Sequence, residues 1–272
     1  TEVNAQLHST IAGKLGGTTA TTVLFKDECF WIAHVGDCRV LMIGKEAIRQ
    51  LTIDHDLHND AERDRVVRAG GSVCKMKGDS YRVRNQHGCS DLNVVRTLGD
   101  NRFDAGVISC EPEINAFAWA VDEFCMLVAS DGIFECLSNS DIASIVRHVV
   151  TVKTAEDEPA VHIARHIAEA VVASALRSGS QDNLSVVVRY REDVFGVHSR
   201  RPSDASDVSS VSVVSLESLP STPGALSVYA KPFIPRKKMV SPACAPLEEL
   251  TEGTLSAEGS YAFLPAGLLS VL

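Results

Sequence analysis

Three aspartates in this sequence stand where apolar runs meet turns. Asp37 ends one apolar run, and Asp131 follows another and precedes Gly132. Asp182 precedes Asn183 and a third apolar run. Carboxylates that converge at the rim of a core repel one another unless a cation neutralises them. Mg²⁺ and Mn²⁺ prefer such oxygen ligands and can activate a water for attack on phosphorus. The three residues are therefore candidate metal ligands, although an aspartate beside a glycine is more often a turn residue or a helix cap.

The elements that must position these residues follow from alternating apolar runs and turn signals. Residues 18–26 and 29–35 predict one β-hairpin, and residues 39–43 and 47–51 predict a second. Further strands are predicted at 113–121, 124–130 and 184–190, and helices at 3–14, 60–69, 138–150 and 159–178. Hairpins followed by a late helical pair and a final strand indicate an α+β fold, with helices packed on antiparallel sheets.

The bulk composition argues against several functions. The 272 residues are 45% hydrophobic, which is enough for a substantial core, and the net charge of −9 argues against nucleic-acid binding driven by phosphate neutralisation. No uncharged run reaches the ~18 residues that span a membrane. None of the eight cysteines forms a CxxC pair. Their spacing argues against a zinc ribbon and indicates reduced thiols, and hence the cytosol or the nucleus.

The composition changes near residue 195. Residues 201–222 hold eight serines, and prolines recur through the remainder of the chain. Such a segment buries too little apolar surface to offset the entropy of ordering it. We therefore divide the chain into a folded domain at 1–195 and a serine- and proline-rich, mostly disordered tail at 196–272.

Seven short motifs follow one another along the predicted domain. They are Gly17-Thr18-Thr19-Ala20, Ala33-His34-Val35-Gly36-Asp37-Cys38-Arg39, Leu51-Thr52-Ile53-Asp54-His55, Gly70-Gly71-Ser72-Val73, Val95-Arg96-Thr97-Leu98-Gly99-Asp100, Leu127-Val128-Ala129-Ser130-Asp131-Gly132-Ile133-Phe134 and Ser180-Gln181-Asp182-Asn183. In this order and with these gaps they resemble the metal-dependent serine/threonine protein phosphatases of the type 2C class (the PPM family). The resemblance covers roughly residues 10–192 and stops before the tail.

The resemblance implies a fold, a reaction and partners. The expected fold is a four-layer αββα sandwich of two antiparallel β-sheets flanked by helices, with the family's first strands missing from this sequence. The expected function is a hydrolase that removes phosphate from phosphoserine and phosphothreonine in proteins, with water activated at a binuclear Mg²⁺ or Mn²⁺ centre. Phosphoprotein substrates, a signalling role and a monomeric state are expected, without a nucleic-acid or membrane partner.

The resemblance also assigns metal ligands motif by motif. Asp131 and Asp182 are expected to bind the two core ions. Asp37 is expected to bind a further, weaker ion close to Asp131, and Glu135 stands where the family often has another carboxylate that serves that ion. Two neighbouring residues are expected to support these ligands, Asn183 by orienting Asp182 and Gly132 by its position next to Asp131.

One part of the family pattern is absent from the sequence. The family's first strands carry an arginine that holds the substrate phosphate and an Asp-Gly-His-Gly with a bridging aspartate and a general acid, and the 272 residues contain no Asp-Gly-His. We therefore predict no catalytic residue within the chain and expect the general acid and the phosphate-binding arginine upstream of Thr1. The chain is then an N-terminally truncated part of an active enzyme. The alternative is an inactive pseudophosphatase that acts as a binding or regulatory domain.

Overall fold

Two antiparallel β-sheets packed against each other form the centre of the structure. The computed structural model describes residues 2–8, 16–26, 29–76, 78, 80–84, 91–100, 102–103, 105–192, 194, 210–216 and 268–271. The helices are α1 (Glu2–His8), α2 (Asp60–Arg68), α3 (Asp131–Phe134), α4 (Asn139–Ala155) and α5 (Ala160–Arg177). The strands are β1 (Gly17–Thr18), β2 (Ala20–Lys26), β3 (Cys29–Val35), β4 (Arg39–Gly44), β5 (Ile48–Gln50), β6 (Ser72–Lys75), β7 (Tyr81–Arg84), β8 (Asp91–Leu92), β9 (Leu98–Gly99), β10 (Glu113–Ala118), β11 (Glu123–Ala129), β12 (Leu184–Tyr190), β13 (Ser210–Leu216) and β14 (Leu268–Val271).

The larger sheet is built around β11. Its five strands run in the order β13-β12-β11-β4-β5, and the four-stranded sheet runs β10-β3-β2-β14. Every residue of β11 is buried. Leu127 belongs to the core shared with the helices, whereas Met126 and Val128 belong to the core between the sheets, with Phe30 and Ile32 of β3. The alternation along β11 therefore joins two hydrophobic layers through one strand.

The predicted hairpins and helices are present with small shifts at their ends. Lys26 pairs with Cys29 across the β2–β3 turn, and β4 pairs with β5. Ser138 caps α4 with the predicted capping box, accepting a hydrogen bond from the backbone N–H of Asp141. The predicted helix at 60–69 is α2, and the one at 159–178 is α5. Residues 9–14 of the first predicted helix lie outside the described residues.

The described helical layer covers one face of the sandwich. α4 and α5 pack on the five-stranded sheet through buried residues such as Ile142, Val146 and Ile167. On the outer face of the four-stranded sheet, Ile114 is 55% exposed. The fold is α+β with antiparallel sheets, as predicted, and three of the four expected layers are found in the described part of the chain.

A third, smaller core lies beside the sandwich. α2 packs against β6 of a three-stranded sheet, β6-β7-β8. Val66 of α2, Val83 of β7 and Val95 are fully buried there, and Leu57 and Val107 are close to full burial. The 91–97 segment contributes Val95 to this core, and the segment that follows contributes Val107.

Two short pieces of the predicted tail belong to the sheets. β13 pairs with β12 along its whole length, and β14 pairs with β2. Both strands lie within residues 196–272, for which we predicted mostly disorder; the remainder of that segment lies outside the described residues. No helix in the described ranges is long and apolar enough to cross a membrane.

The cysteines only partly follow the prediction of reduced thiols. Among the cysteines that the structure describes, five are free, namely Cys38, Cys74, Cys110, Cys125 and Cys136. Burial raises the pKa of the Cys38 thiol to about 12, so it stays protonated. Cys29, in contrast, is disulfide-bonded, and for this residue the prediction of a reduced thiol was wrong.

Candidate metal centre

Three carboxylates meet where β11 ends and β12 begins. These strands are antiparallel neighbours, with Ala129 opposite Val186, so the residue after β11 and the residues before β12 lie at the same edge of the sheet. The ligating oxygens of Asp131, Glu135 and Asp182 all lie within 4.8 Å of one another. Glu135 follows Asp131 by four positions across the short helix α3, and this spacing places both side chains on one face.

Backbone N–H groups orient two of the three carboxylates. The N–H of Gly132 donates to Oδ1 of Asp131 at 2.9 Å, and the N–H of Asn183 donates to Oδ1 of Asp182 at 2.7 Å. A Cβ atom on Gly132 would lie 2.7 Å from the carbonyl oxygen of Asn183. Gly132 is therefore the residue that lets the two segments approach, and Asn183 orients Asp182 through its backbone.

Asp37 lines the same cleft from the turn between β3 and β4. It does not belong to the group of three, but its carboxylate interacts electrostatically with that of Asp131. The turn before it needs Gly36, which has a φ of +107° and lies against Thr19. The cleft has a volume of about 320 Å³ and is lined by Gly17, Thr18, Thr19, Asp37, Cys38, Asn93, Val94, Ser130, Asp131, Asp182, Asn183 and Ser185. None of these lining residues is a lysine or an arginine.

Burial, and then the charge of neighbouring carboxylates, raises the pKa of Asp37, Asp131 and Glu135. Burial, followed by the charge of Asp131, raises the pKa of Asp37 to about 7. Burial and then the charge of Asp182 raise the pKa of Asp131. The pKa of Glu135 is also raised, first by desolvation and then by Asp131 and Asp182. Each shift therefore combines desolvation with the repulsion of a nearby carboxylate.

This arrangement fits a hard divalent ion. The donors are carboxylate oxygens, which Mg²⁺ and Mn²⁺ prefer, and the described hydrogen bonds occupy only Oδ1 of Asp131 and of Asp182. A bound cation would relieve the mutual repulsion that the raised pKa values record. Asp131, Glu135 and Asp182 can therefore hold one ion together, and Asp37 can contribute to a neighbouring one.

The two groups that we expect upstream of Thr1 stay predictions. Thr1 itself lies outside the described residues, and the first described element, α1, begins at Glu2. The structure therefore places neither the general acid nor the phosphate-binding arginine. The part of the centre that it does place consists of carboxylates, which can bind a cation but cannot bind a phosphate ester directly.

A second group of potential ligands is already engaged in hydrogen bonds. Atoms of His34, His55 and Glu113 also lie within 4.8 Å of one another. The His34 Nε2 lies 3.1 Å from the carbonyl oxygen of Ile53, and the His55 Nδ1 accepts a hydrogen bond from the N–H of Gly36. The other nitrogen of His55 lies 3.4 Å from Glu113, and the two imidazole rings are stacked 4.4 Å apart. The cluster therefore connects β3, the 51–55 segment and β10 through hydrogen bonds, and its ligand atoms are already used in these contacts.

Sequence reasoning did not single out two serines that connect the carboxylate segments. The hydroxyl of Ser130 donates to the carbonyl oxygen of Asn183 at 3.2 Å and accepts from the N–H of Ser185 at 3.1 Å. The hydroxyl of Ser180 donates to the carbonyl oxygen of Gly132 at 2.9 Å. Both serines are part of the motifs that carry the resemblance, and their adjacency to the aspartates was the available signal.

Comparison with known proteins gives one family. The sequence profile described as Protein phosphatase 2C matches residues 2–184. Probable protein phosphatase 2C 17 of Arabidopsis thaliana is 32% identical over 177 residues, which are 65% of this chain and 56% of that protein. Probable protein phosphatase 2C 44 of Oryza sativa subsp. japonica is 31% identical over 178 residues and is covered to 50% of its length. The chain thus spans about half the length of the curated relatives it matches.

Solved structures show the same fold. A serine-threonine phosphatase 2C from Toxoplasma gondii superimposes with a TM-score of 0.55 at 19% identity, covering 69% of this chain and 61% of that chain. A C. elegans sex-determining protein gives a TM-score of 0.53 at 28% identity, covering 64% of this chain and 40% of that one.

Proposed function

This chain belongs to the protein phosphatase 2C family, and we propose that it forms part of a metal-dependent phosphatase that hydrolyses phosphoserine and phosphothreonine in proteins. The observation that carries the proposal is the convergence of the ligand oxygens of Asp131, Glu135 and Asp182 within 4.8 Å of one another. Asp131 and Asp182 also line the polar cleft. The family profile ends at residue 184, directly after the last of these carboxylates.

The charge of the cleft supports a metal requirement. A phosphate ester is an anion, and a cleft lined by Asp37, Asp131 and Asp182 without lysine or arginine repels it. Asp131, Glu135 and Asp182 would hold the ion that reverses this field, and Asp37 would serve an additional one. When bound, Mg²⁺ or Mn²⁺ supplies an activated water for in-line attack on phosphorus. The residues of the chain fix the positions of the carboxylates and leave the cleft open towards solvent for the substrate.

Several finer features remain part of the proposal. We infer Mg²⁺ or Mn²⁺ from the all-oxygen donor set, with two core ions and a weaker third. Phosphoprotein substrates and a monomeric state follow from the family resemblance. A cytosolic or nuclear location is supported by the five free cysteines, whereas the disulfide at Cys29 counts against it.

The test measures release of inorganic phosphate from a phosphothreonine peptide and a phosphoserine peptide by the protein at its full natural length. We expect hydrolysis that requires added Mn²⁺ or Mg²⁺ and stops with EDTA. Asp131→Asn and Asp182→Asn should each reduce the rate by on the order of 100-fold or more, because even residues that only orient ligands contribute about 10–100-fold.

Asp64→Asn is the matched control. It makes the same change at an exposed carboxylate of α2, and we expect it to leave the rate unchanged. If the folded wild-type protein binds Mn²⁺ but hydrolyses neither peptide at any metal concentration, the enzymatic proposal is wrong and a binding role takes its place.

A further inference from the structure

We propose that Ser130 and Ser180 are positioning residues whose hydroxyl groups set the separation of the Asp131 and Asp182 carboxylates, and thereby the affinity of the centre for its metal. The inference rests on the proposed function, because it concerns the same metal centre. It adds two residues that are not among the carboxylate ligands and that act through them.

The two aspartates need such a constraint because they stand on different segments. Asp131 begins α3, and Asp182 lies in the loop between α5 and β12. Their ligand oxygens lie within 4.8 Å of each other, so two ionised carboxylates in these positions repel. Without a fixed connection, repulsion between the carboxylates would move the two segments apart when no ion is bound.

Ser130 connects the start of α3 to the start of β12. It is the N-cap residue of α3, yet its side chain makes no capping hydrogen bond within that helix. Its hydroxyl instead donates to the carbonyl oxygen of Asn183 and accepts from the N–H of Ser185. Ser130 therefore precedes the ligand Asp131 and hydrogen-bonds to the backbone that follows the ligand Asp182.

Ser180 makes the reciprocal connection. It precedes Asp182 by two residues and is 8% exposed. Its hydroxyl donates to the carbonyl oxygen of Gly132, the residue that follows Asp131, at 2.9 Å. Each segment thus sends one hydroxyl to the backbone of the other, and the two ties enclose both aspartates. The absence of a side chain on Gly132 allows this approach, since a Cβ atom there would lie 3.0 Å from the Cβ of Asp182.

The test measures Mn²⁺ binding by the full-length protein, by following the electron paramagnetic resonance signal of free Mn²⁺ during titration. We expect Ser130→Ala and Ser180→Ala each to raise the Kd for Mn²⁺ by about 10-fold or more, which is the usual effect of removing groups that orient ligands. Ser130→Thr retains the hydroxyl at a half-buried position that lines the cleft, and we expect it to bind close to wild type.

Ser138→Ala is the matched control for general destabilisation. It removes a serine hydroxyl that caps α4, so it should lower the melting temperature while changing the Kd by less than about 2-fold. Circular dichroism verifies the fold of each variant. Because Ser180 is nearly buried, Ser130→Ala with its threonine counterpart decides the matter if Ser180→Ala does not fold.

The outcomes separate this inference from the proposed function. If wild type binds Mn²⁺ and Ser130→Ala binds it equally well, the positioning role is wrong while the metal centre stands. Weakening by Ser138→Ala as large as that by Ser130→Ala would also overturn it, because loss of stability would then explain the effect. If wild type binds no Mn²⁺, the proposed function fails, and this inference fails with it.

Discussion

The stacked histidine pair should make folding stability depend on pH in a defined direction. His34 and His55 are 2% and 1% exposed, with their rings 4.4 Å apart and 6° from parallel. Burial, then the charge of His34, and then that of Arg96 lower the pKa of His55 from 6.5 to about 4. Burial likewise lowers the pKa of His34, partly offset by its hydrogen bond with the carbonyl oxygen of Ile53 and then by the charge of Glu113. Both rings are therefore neutral in the folded protein at pH 7.

The sign follows from proton binding. In the unfolded chain His55 becomes protonated below pH 6.5, whereas in the folded protein it becomes protonated only below about pH 4. The free energy of unfolding therefore falls as the pH is lowered through this window, by about 1.4 kcal/mol per pH unit for one histidine. For His55 alone, the loss between pH 7 and pH 4 is on the order of 3 kcal/mol. His34 acts in the same direction.

Urea denaturation of wild type and His55→Gln at several pH values between 7.5 and 4.5 measures this effect. Other groups titrate in the same range, and the raised pKa of Asp37 acts with opposite sign. The difference between variant and wild type at each pH cancels these contributions to first order. We expect the wild type to lose stability more steeply than His55→Gln, with a difference in slope that approaches 1.4 kcal/mol per pH unit.

His148→Gln is the control, since His148 is exposed on α4. It should follow the wild-type curve. Parallel curves for wild type and His55→Gln would refute the reasoning, because they would show that the folded protein binds protons at His55 as readily as the unfolded chain does.

Two further predictions concern backbone approach and a buried ion pair. Gly132→Ala places a methyl group 2.7 Å from the carbonyl oxygen of Asn183. It should lower the free energy of unfolding by about 1–3 kcal/mol in urea titrations, and it should weaken Mn²⁺ binding. A stability equal to that of wild type would show that the two segments move apart without cost. Glu62 is 4% exposed and accepts hydrogen bonds from Arg65 and Arg96. Glu62→Gln removes the carboxylate that pairs with both guanidinium groups and should lower the free energy of unfolding, measured by urea titration, by about 3 kcal/mol. A change below about 0.5 kcal/mol would indicate that water replaces the carboxylate.

Local features of the sequence predicted much of the fold. Apolar runs separated by short turn signals predicted the β2–β3 and β4–β5 hairpins, and the capping box at Ser138 predicted the start of α4. Each of these signals lies within a few residues of the structure it specifies. The pairing of β13 and β14 with distant strands was not predicted. A serine-rich composition indicates that a segment is costly to order, but it does not indicate which sheet edge the segment can pair with.

Sequence reasoning selected candidate carboxylates but not the geometry that brings them together. Position at strand ends marked Asp131 and Asp182, and the family resemblance added Glu135. The convergence of their oxygens depends on β11 and β12 being antiparallel neighbours, which no local pattern encodes. The ties made by Ser130 and Ser180 escaped for the same reason, since their partners are backbone groups about 50 residues away.

The burial of β11 on both faces has a consequence for sequence variation. A strand with one wet face tolerates polar substitution at every second position, but all seven residues of β11 lie in the interior. Glu123, the first residue, is charged, but its carboxylate pairs with Arg49. From Phe124 to Ala129 no side chain reaches water, so a polar substitution there would bury a polar group away from solvent. The anchor of the candidate centre is thus the segment with the least freedom to mutate, and its location should drift less between orthologues than the surface around it.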